Sequence, residues 1–138
     1  MGIWKPLISS GSEGRKYNLG AKENTKVTFK ADSEEVANEY AITEWWLKVD
    51  GPRPAPHVHE NNDELMYLLE GTISVLLGEK WADRTKGSLI VIPTGATHTF
   101  ANQSTTKMGI LKIVVGSAYE LMMPQITQIF VYKWKSFK

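Results

Sequence analysis

Three histidines occur in 138 residues, and all three fall in two short segments that open on glycine. The first, residues 51–71, reads GPRPAPHVHENNDELMYLLEG; it sets His57 and His59 two positions apart and follows them with Glu64 across a short polar loop. The second, residues 87–102, reads GSLIVIPTGATHTFAN and supplies His98. Residues i and i+2 of an extended strand point to one face, so the imidazoles of His57 and His59 look into the same space, where a metal ion could sit. A fold that uses all three histidines must bring two separate segments to one centre.

The surrounding sequence reads as strands. Pro52, Pro54 and Pro56 hold the chain extended up to His57, because each fixes φ and disfavours helix in the residue before it. Runs rich in β-branched and aromatic residues, bounded by Gly, Pro and Asn, predict strands over 16–19, 27–30, 40–49, 65–69, 72–77, 80–84, 87–92, 99–101 and 108–115. Such short strands between turns mean an all-β barrel or sandwich. Residues 1–25 read as an extended arm suited to packing on a partner subunit, and residues 31–40 as a loop. Asn61, Asn62 and Asp63 read as a solvated loop. In the strand over 40–49, Ile42, Glu44, Trp46 and Lys48 share one face and Thr43, Trp45, Leu47 and Val49 the other, so the two tryptophans point in opposite directions. Ser117 with Glu120 matches a capping box, predicting a short C-terminal helix over 118–123 that Pro124 limits. The tail, ITQIFVYKWKSFK, alternates apolar and polar residues and ends basic.

Composition narrows the function classes. The chain has the length of one domain, with 42% hydrophobic and 22% charged residues, which is ordinary globular usage. A net charge of +1 and the lack of any basic run argue against nucleic acid as a partner. Without cysteine there is neither disulfide nor thiolate, which leaves His and carboxylate as the strong metal-binding groups and fits a reducing, cytoplasmic setting. No segment has the ~20 apolar residues of a membrane span, and the first residues lack the pattern of a signal peptide.

Written as patterns, the two segments are G-x5-H-x-H-x4-E-x6-G and G-x5-P-x-G-x2-H-x3-N, with 15 residues between them. Ten fixed positions at typical frequencies near 5% have a chance expectation of roughly 10⁻¹³ per placement, so coincidence is set aside. The matching residues are Gly51, His57, His59, Glu64 and Gly71, then Gly87, Pro93, Gly95, His98 and Asn102. They resemble the two motifs of the cupin superfamily, and HVHENNDE with MYLLEG is similar to the small single-domain, quercetin 2,3-dioxygenase-like members. The resemblance implies a single domain over 1–138 built as a double-stranded β-helix, or jelly-roll barrel, with His57, His59, Glu64 and His98 as metal ligands, and a homodimer.

The residues' own chemistry agrees on the ion. Three imidazoles and one carboxylate form a borderline N/O set that suits one divalent transition metal (Fe, Mn, Ni, Co, Cu or Zn) rather than Ca or Mg. Gly71 and Gly87 suit tight turns, and Pro93 with Gly95 shapes the bend that delivers His98. Met66 and Leu68 share a face with Glu64, and Phe100 shares one with His98. Together with Trp46 and Tyr119 they are expected to line a substrate pocket, Tyr119 from the short helix at the barrel mouth. The leading expectation is a metal-dependent dioxygenase acting on a small hydroxylated, aromatic or flavonol-like compound, with Glu64 as the catalytic proton acceptor. A non-catalytic metal- and small-molecule-binding module is the alternative. A sugar isomerase or epimerase is weaker, since the three histidines are committed as ligands and no His base is left.

Overall fold

A computed structural model describes residues 6–11, 13–19, 24–32, 35–36, 39–49, 53–116, 119–124 and 126. Gly51, Ser117 and the tail beyond Ile126 lie outside these residues. Nine strands form two antiparallel sheets: β1 (Arg15–Leu19), β2 (Thr25–Ala31), β3 (Tyr40–Leu47), β4 (Asp63–Glu70), β5 (Thr72–Leu77), β6 (Lys80–Thr85), β7 (Leu89–Ile92), β8 (His98–Ala101) and β9 (Met108–Val115). The larger sheet runs β1-β2-β3-β9-β4-β7 and the smaller one β6-β5-β8. This is the expected all-β jelly-roll barrel.

Period-two alternation decides which side chains the barrel encloses. Thr43, Trp45 and Leu47 of β3, Glu64, Met66 and Leu68 of β4, and Met108, Ile110, Lys112 and Val114 of β9 all point inward. Ile73, Val75 and Phe100 from the smaller sheet join the same buried cluster, so the sheets pack face to face. Across that interface Trp45 meets Phe100 edge-on at 5.7 Å between ring centroids. The indole N–H of Trp45 donates to Thr43 Oγ1 (2.8 Å), which donates in turn to the Lys112 carbonyl (3.2 Å), so the largest core side chain leaves no polar atom stranded.

The outward face of the larger sheet is also apolar over β9, β4 and β7, although Glu44 of β3 lies beside Leu111. Register places Ile42, Ile113, Leu65 and Val91 in one row across β3, β9, β4 and β7, and Leu111, Tyr67 and Leu89 in the next. Leu89 is 60% exposed and Val91 54%.

Two turns shape the path toward the histidines. Gly71 has φ +77°, and a Cβ there would collide with the Lys107 carbonyl, so the β4–β5 turn needs glycine on both counts. Asn102, at the end of the second motif, organises the following loop: its Nδ2 donates to the Leu47 and Thr106 carbonyls and its Oδ1 accepts from Ser104 N–H and hydroxyl.

The C-terminal element differs from expectation. Within the described residues Glu120–Met122 form a 3₁₀ turn without a side-chain cap, and Met123, Pro124 and Ile126 are α-helical, so Pro124 does not limit the helix predicted over 118–123. The carboxylate of Glu120 is drawn elsewhere, accepting from Arg15 Nε (2.8 Å) and from the Tyr17 hydroxyl (2.7 Å) on β1. In the N-terminal region β1 pairs with β2, and Lys30 Nζ donates to the Ser10 and Glu13 carbonyls. No helix among the described residues is long and apolar enough to cross a membrane.

Candidate metal centre

The two histidine segments meet through their backbones. His57 N–H donates to the His98 carbonyl and His98 N–H to the His57 carbonyl, both at 2.9 Å, an isolated antiparallel bridge rather than a full strand. Gly95 N–H donates to the His59 carbonyl (2.9 Å) from the turn that Ala96 N–H closes on the Pro93 carbonyl (3.1 Å). Gly95 adopts φ +86°, which glycine tolerates freely. Asp63 secures this turn from the other side, its Oδ1 accepting from both Thr94 N–H and Thr94 Oγ1 at 2.7 Å. Those two bonds, the hydroxyl's first, hold the Asp63 carboxyl below its usual range. Residues 61–63 are therefore not simply a solvated loop: Asp63 opens β4, and Asn62 is buried with Nδ2 on the Val115 carbonyl (3.2 Å).

The consequence is a convergent site. One nitrogen each from His57, His59 and His98 lies within 4.8 Å of the other two. Glu64, 1% exposed, sits against this trio with Oε1 3.0 Å from His59 Nε2 and Oε2 3.2 Å from His98 Nε2.

Hydrogen bonding sets the tautomers. His57 Nδ1 lies 2.7 Å from the Ala55 carbonyl and His98 Nδ1 2.9 Å from the Ala96 carbonyl. A carbonyl oxygen only accepts, so both Nδ1 atoms carry the proton and the Nε2 lone pairs face inward. Burial raises the Glu64 carboxyl. The charge of Lys112, 3.9 Å away, is foremost among the effects that outweigh it and hold the group well below the usual carboxylate range. At Oε2 the ionised carboxylate thus faces the His98 lone pair, acceptor against acceptor. Glu64 Oε1, Glu64 Oε2 and His98 Nε2 are buried with no hydrogen bond directed at them. A cation between them reconciles the arrangement, and imidazole Nδ1–H on a backbone carbonyl is the usual support for a metal-bound ring. The residues present fit a divalent transition metal, with His57, His59 and His98 converging and Glu64 adjoining as a fourth donor.

A cavity of about 40 Å³ opens on this group, walled by Trp45, Phe100, Tyr119 and Ile126 on its apolar side. Phe100 and Tyr119 therefore stand where the sequence suggested. Trp46 does not: it lies on the outer face of β3, where its ring covers the cross-strand Gly109 and its indole N–H donates to Glu44 (3.1 Å), and Trp45 takes the cavity wall. Met66 and Leu68 are fully buried but sit in the core cluster and not on the cavity, because each further pair of residues carries β4 about 7 Å away from Glu64. Lys112, 3% exposed, lines the cavity and was missed. Its signal was available: in MGILKIVV it occupies the same parity as Met108, Ile110 and Val114, a cation on the apolar face of a strand. Burial lowers its ammonium pKa, and Glu64 opposes that shift.

Burial, against the Ala55 carbonyl, pushes the His57 imidazole down to about 4, and the neighbouring His98, His59 and Lys112 add to the shift. The unfolded value is about 6.5. The neutral ring therefore contributes stability that is complete above pH ~6.5 and lost as pH falls toward 4. Denaturant unfolding of metal-stripped protein should show a falling free energy across that window, and His57→Gln should flatten the fall. An unchanged slope in the variant would show that His57 is not buried neutral.

Curated proteins offer no match to this sequence. Solved structures do. KdgF from a Halomonas species superposes with a TM-score of 0.71 at 14% identity, covering 85% of this chain and 99% of that one. A predicted oxalate decarboxylase from Thermotoga maritima gives 0.71 at 17%, covering 80% and 99%. An RmlC-like cupin from Shewanella frigidimarina gives 0.70 at 15%, covering 85% and 96%. Likeness at such identities is a likeness of fold. The cupin-domain family model matches residues 45–114, half of the chain, from Trp45 on the cavity wall to Val114, the last inward residue of β9, and so the chain belongs to the cupin family.

Proposed function

We propose that this cupin is a mononuclear-metal dioxygenase acting on a small hydroxylated compound. The observation that carries the reading is the ionised Glu64 set against the inward His98 lone pair at the end of a small, largely apolar cavity. A redox-active divalent metal bound there would polarise and acidify a substrate hydroxyl and supply the electronic partner that dioxygen chemistry requires. The protein's own part is positioning and proton handling. Glu64 is ionised near neutrality and, beside the ion, presents a carboxylate oxygen that can take the hydroxyl proton. Trp45, Phe100 and Tyr119 exclude water and orient an organic skeleton. Both atoms of dioxygen enter the product, so the substrate itself is the reductant and no further cofactor is called for.

Cavity size favours the small end of the substrate range. A space of about 40 Å³ suits a compact molecule better than a multi-ring flavonol. Oxygen consumption by protein loaded with Fe, Mn, Ni or Co, assayed on small hydroxy acids, enols and catechol, tests the activity. Uptake matched to substrate loss is expected, and Glu64→Gln should lower kcat by ~10²–10⁴ with metal still bound. Metal and ligand binding without oxygen uptake for any metal would contradict the dioxygenase and leave a binding module.

We also propose a homodimer, supported by the apolar rows on the outer face of the larger sheet. Sedimentation at micromolar concentration should give a dimer that Val91→Glu converts to monomer; a wild-type monomer would refute it.

A further inference from the structure

Lys112 is an unusual occupant of a barrel interior. Its side chain is 4% exposed, and its Nζ lies 4.2 Å from the Trp45 ring centroid and 4.6 Å from that of Phe100, two faces that suit a cation. The nearest carboxylate oxygen, Glu64 Oε1, is 3.9 Å away, beyond hydrogen-bonding distance, so among the described residues the three ammonium donors have no acceptor. Lys112 instead lines the same cavity as His57 and His59.

Charge balance gives this placement a meaning. With a divalent ion on three neutral imidazoles, Glu64 returns one negative charge and Lys112 adds one positive, leaving a surplus of two positive charges in a small, largely apolar cavity. Buried charge without a counter-charge is costly, and the apolar walls strengthen attraction for an incoming anion. Lys112 is not required to neutralise Glu64 once a metal is present, so its charge is left for the ligand.

We infer that Lys112 is the anion-binding residue of this site and that the molecule admitted is a small carboxylate, its charged oxygen facing Nζ. This deepens the metal reading above and rests on it. The hydroxyl that Glu64 deprotonates and the carboxylate that Lys112 holds then belong to one compact substrate, of the hydroxy-acid or enol-acid class.

Binding to Co(II)-loaded protein, followed through the visible absorption of the ion, tests the assignment with acetate, oxalate and uncharged acetamide as probes. Lys112→Met should weaken acetate and oxalate by at least ~10-fold, as loss of a charged hydrogen bond does, while changing acetamide and Co(II) affinity less than ~3-fold. Lys112→Gln, which retains a polar head without charge, gives the same comparison if the methionine variant fails to fold. Co(II) uptake with carboxylate affinity unchanged in the variants would overturn the role of Lys112 alone. A protein that takes up no Co(II) would overturn the metal reading and this assignment with it.

Discussion

Two backbone carbonyls govern what the centre of this barrel can hold. By accepting from Nδ1 of His57 and His98, Ala55 and Ala96 fix both imidazoles in the tautomer whose free lone pair points inward. Were the rings free to turn over, Nδ1–H or Nε2–H could simply donate to Glu64 and the cluster would be an ordinary hydrogen-bonded core. With those protons held on the outside, Glu64 Oε2 meets an acceptor at His98 Nε2, and a cation between them satisfies both. The carbonyls in turn owe their positions to local chemistry: the prolines before His57, and the turn that Gly95 and the Asp63–Thr94 bonds keep in place.

The strand alternation that builds the core also brings charge into it. Glu64 and Lys112 are inward members of β4 and β9, adjacent strands whose other inward residues are all apolar. Two opposite charges in that setting cost several kcal/mol each to desolvate, and a pair at 3.9 Å recovers only part of it. A hydrophobic pair would serve stability better. The presence of this one in the interior is an argument for function, with the aromatic rings of Trp45 and Phe100 beside the ammonium.

The metal centre was legible in sequence because its spacing is dictated by short-range geometry: H-x-H on an extended segment, and a Pro/Gly turn before His98. The strands were legible for the same reason, to within a residue or two at most ends. What escaped depended on partners distant in the chain. Parity separated Trp45 from Trp46, but only the pairing of Trp46 with Gly109 shows which face is outside. The residues 117–120 matched a capping box, yet the Glu120 carboxylate belongs to Arg15 and Tyr17 at the opposite end of the sequence. Lys112 reads as a break in an apolar run until Glu64 is placed beside it.

Metal content decides whether the inward lone pairs do what their arrangement implies. Elemental analysis of protein produced without a histidine tag, repeated on a folded His98→Ala variant, is the direct measurement. A metal centre predicts close to one equivalent of a divalent transition metal per chain in the wild type and its loss in the variant. Folded wild-type protein that carries no metal, and takes none up when offered Fe, Mn, Co, Ni, Cu or Zn, would contradict it.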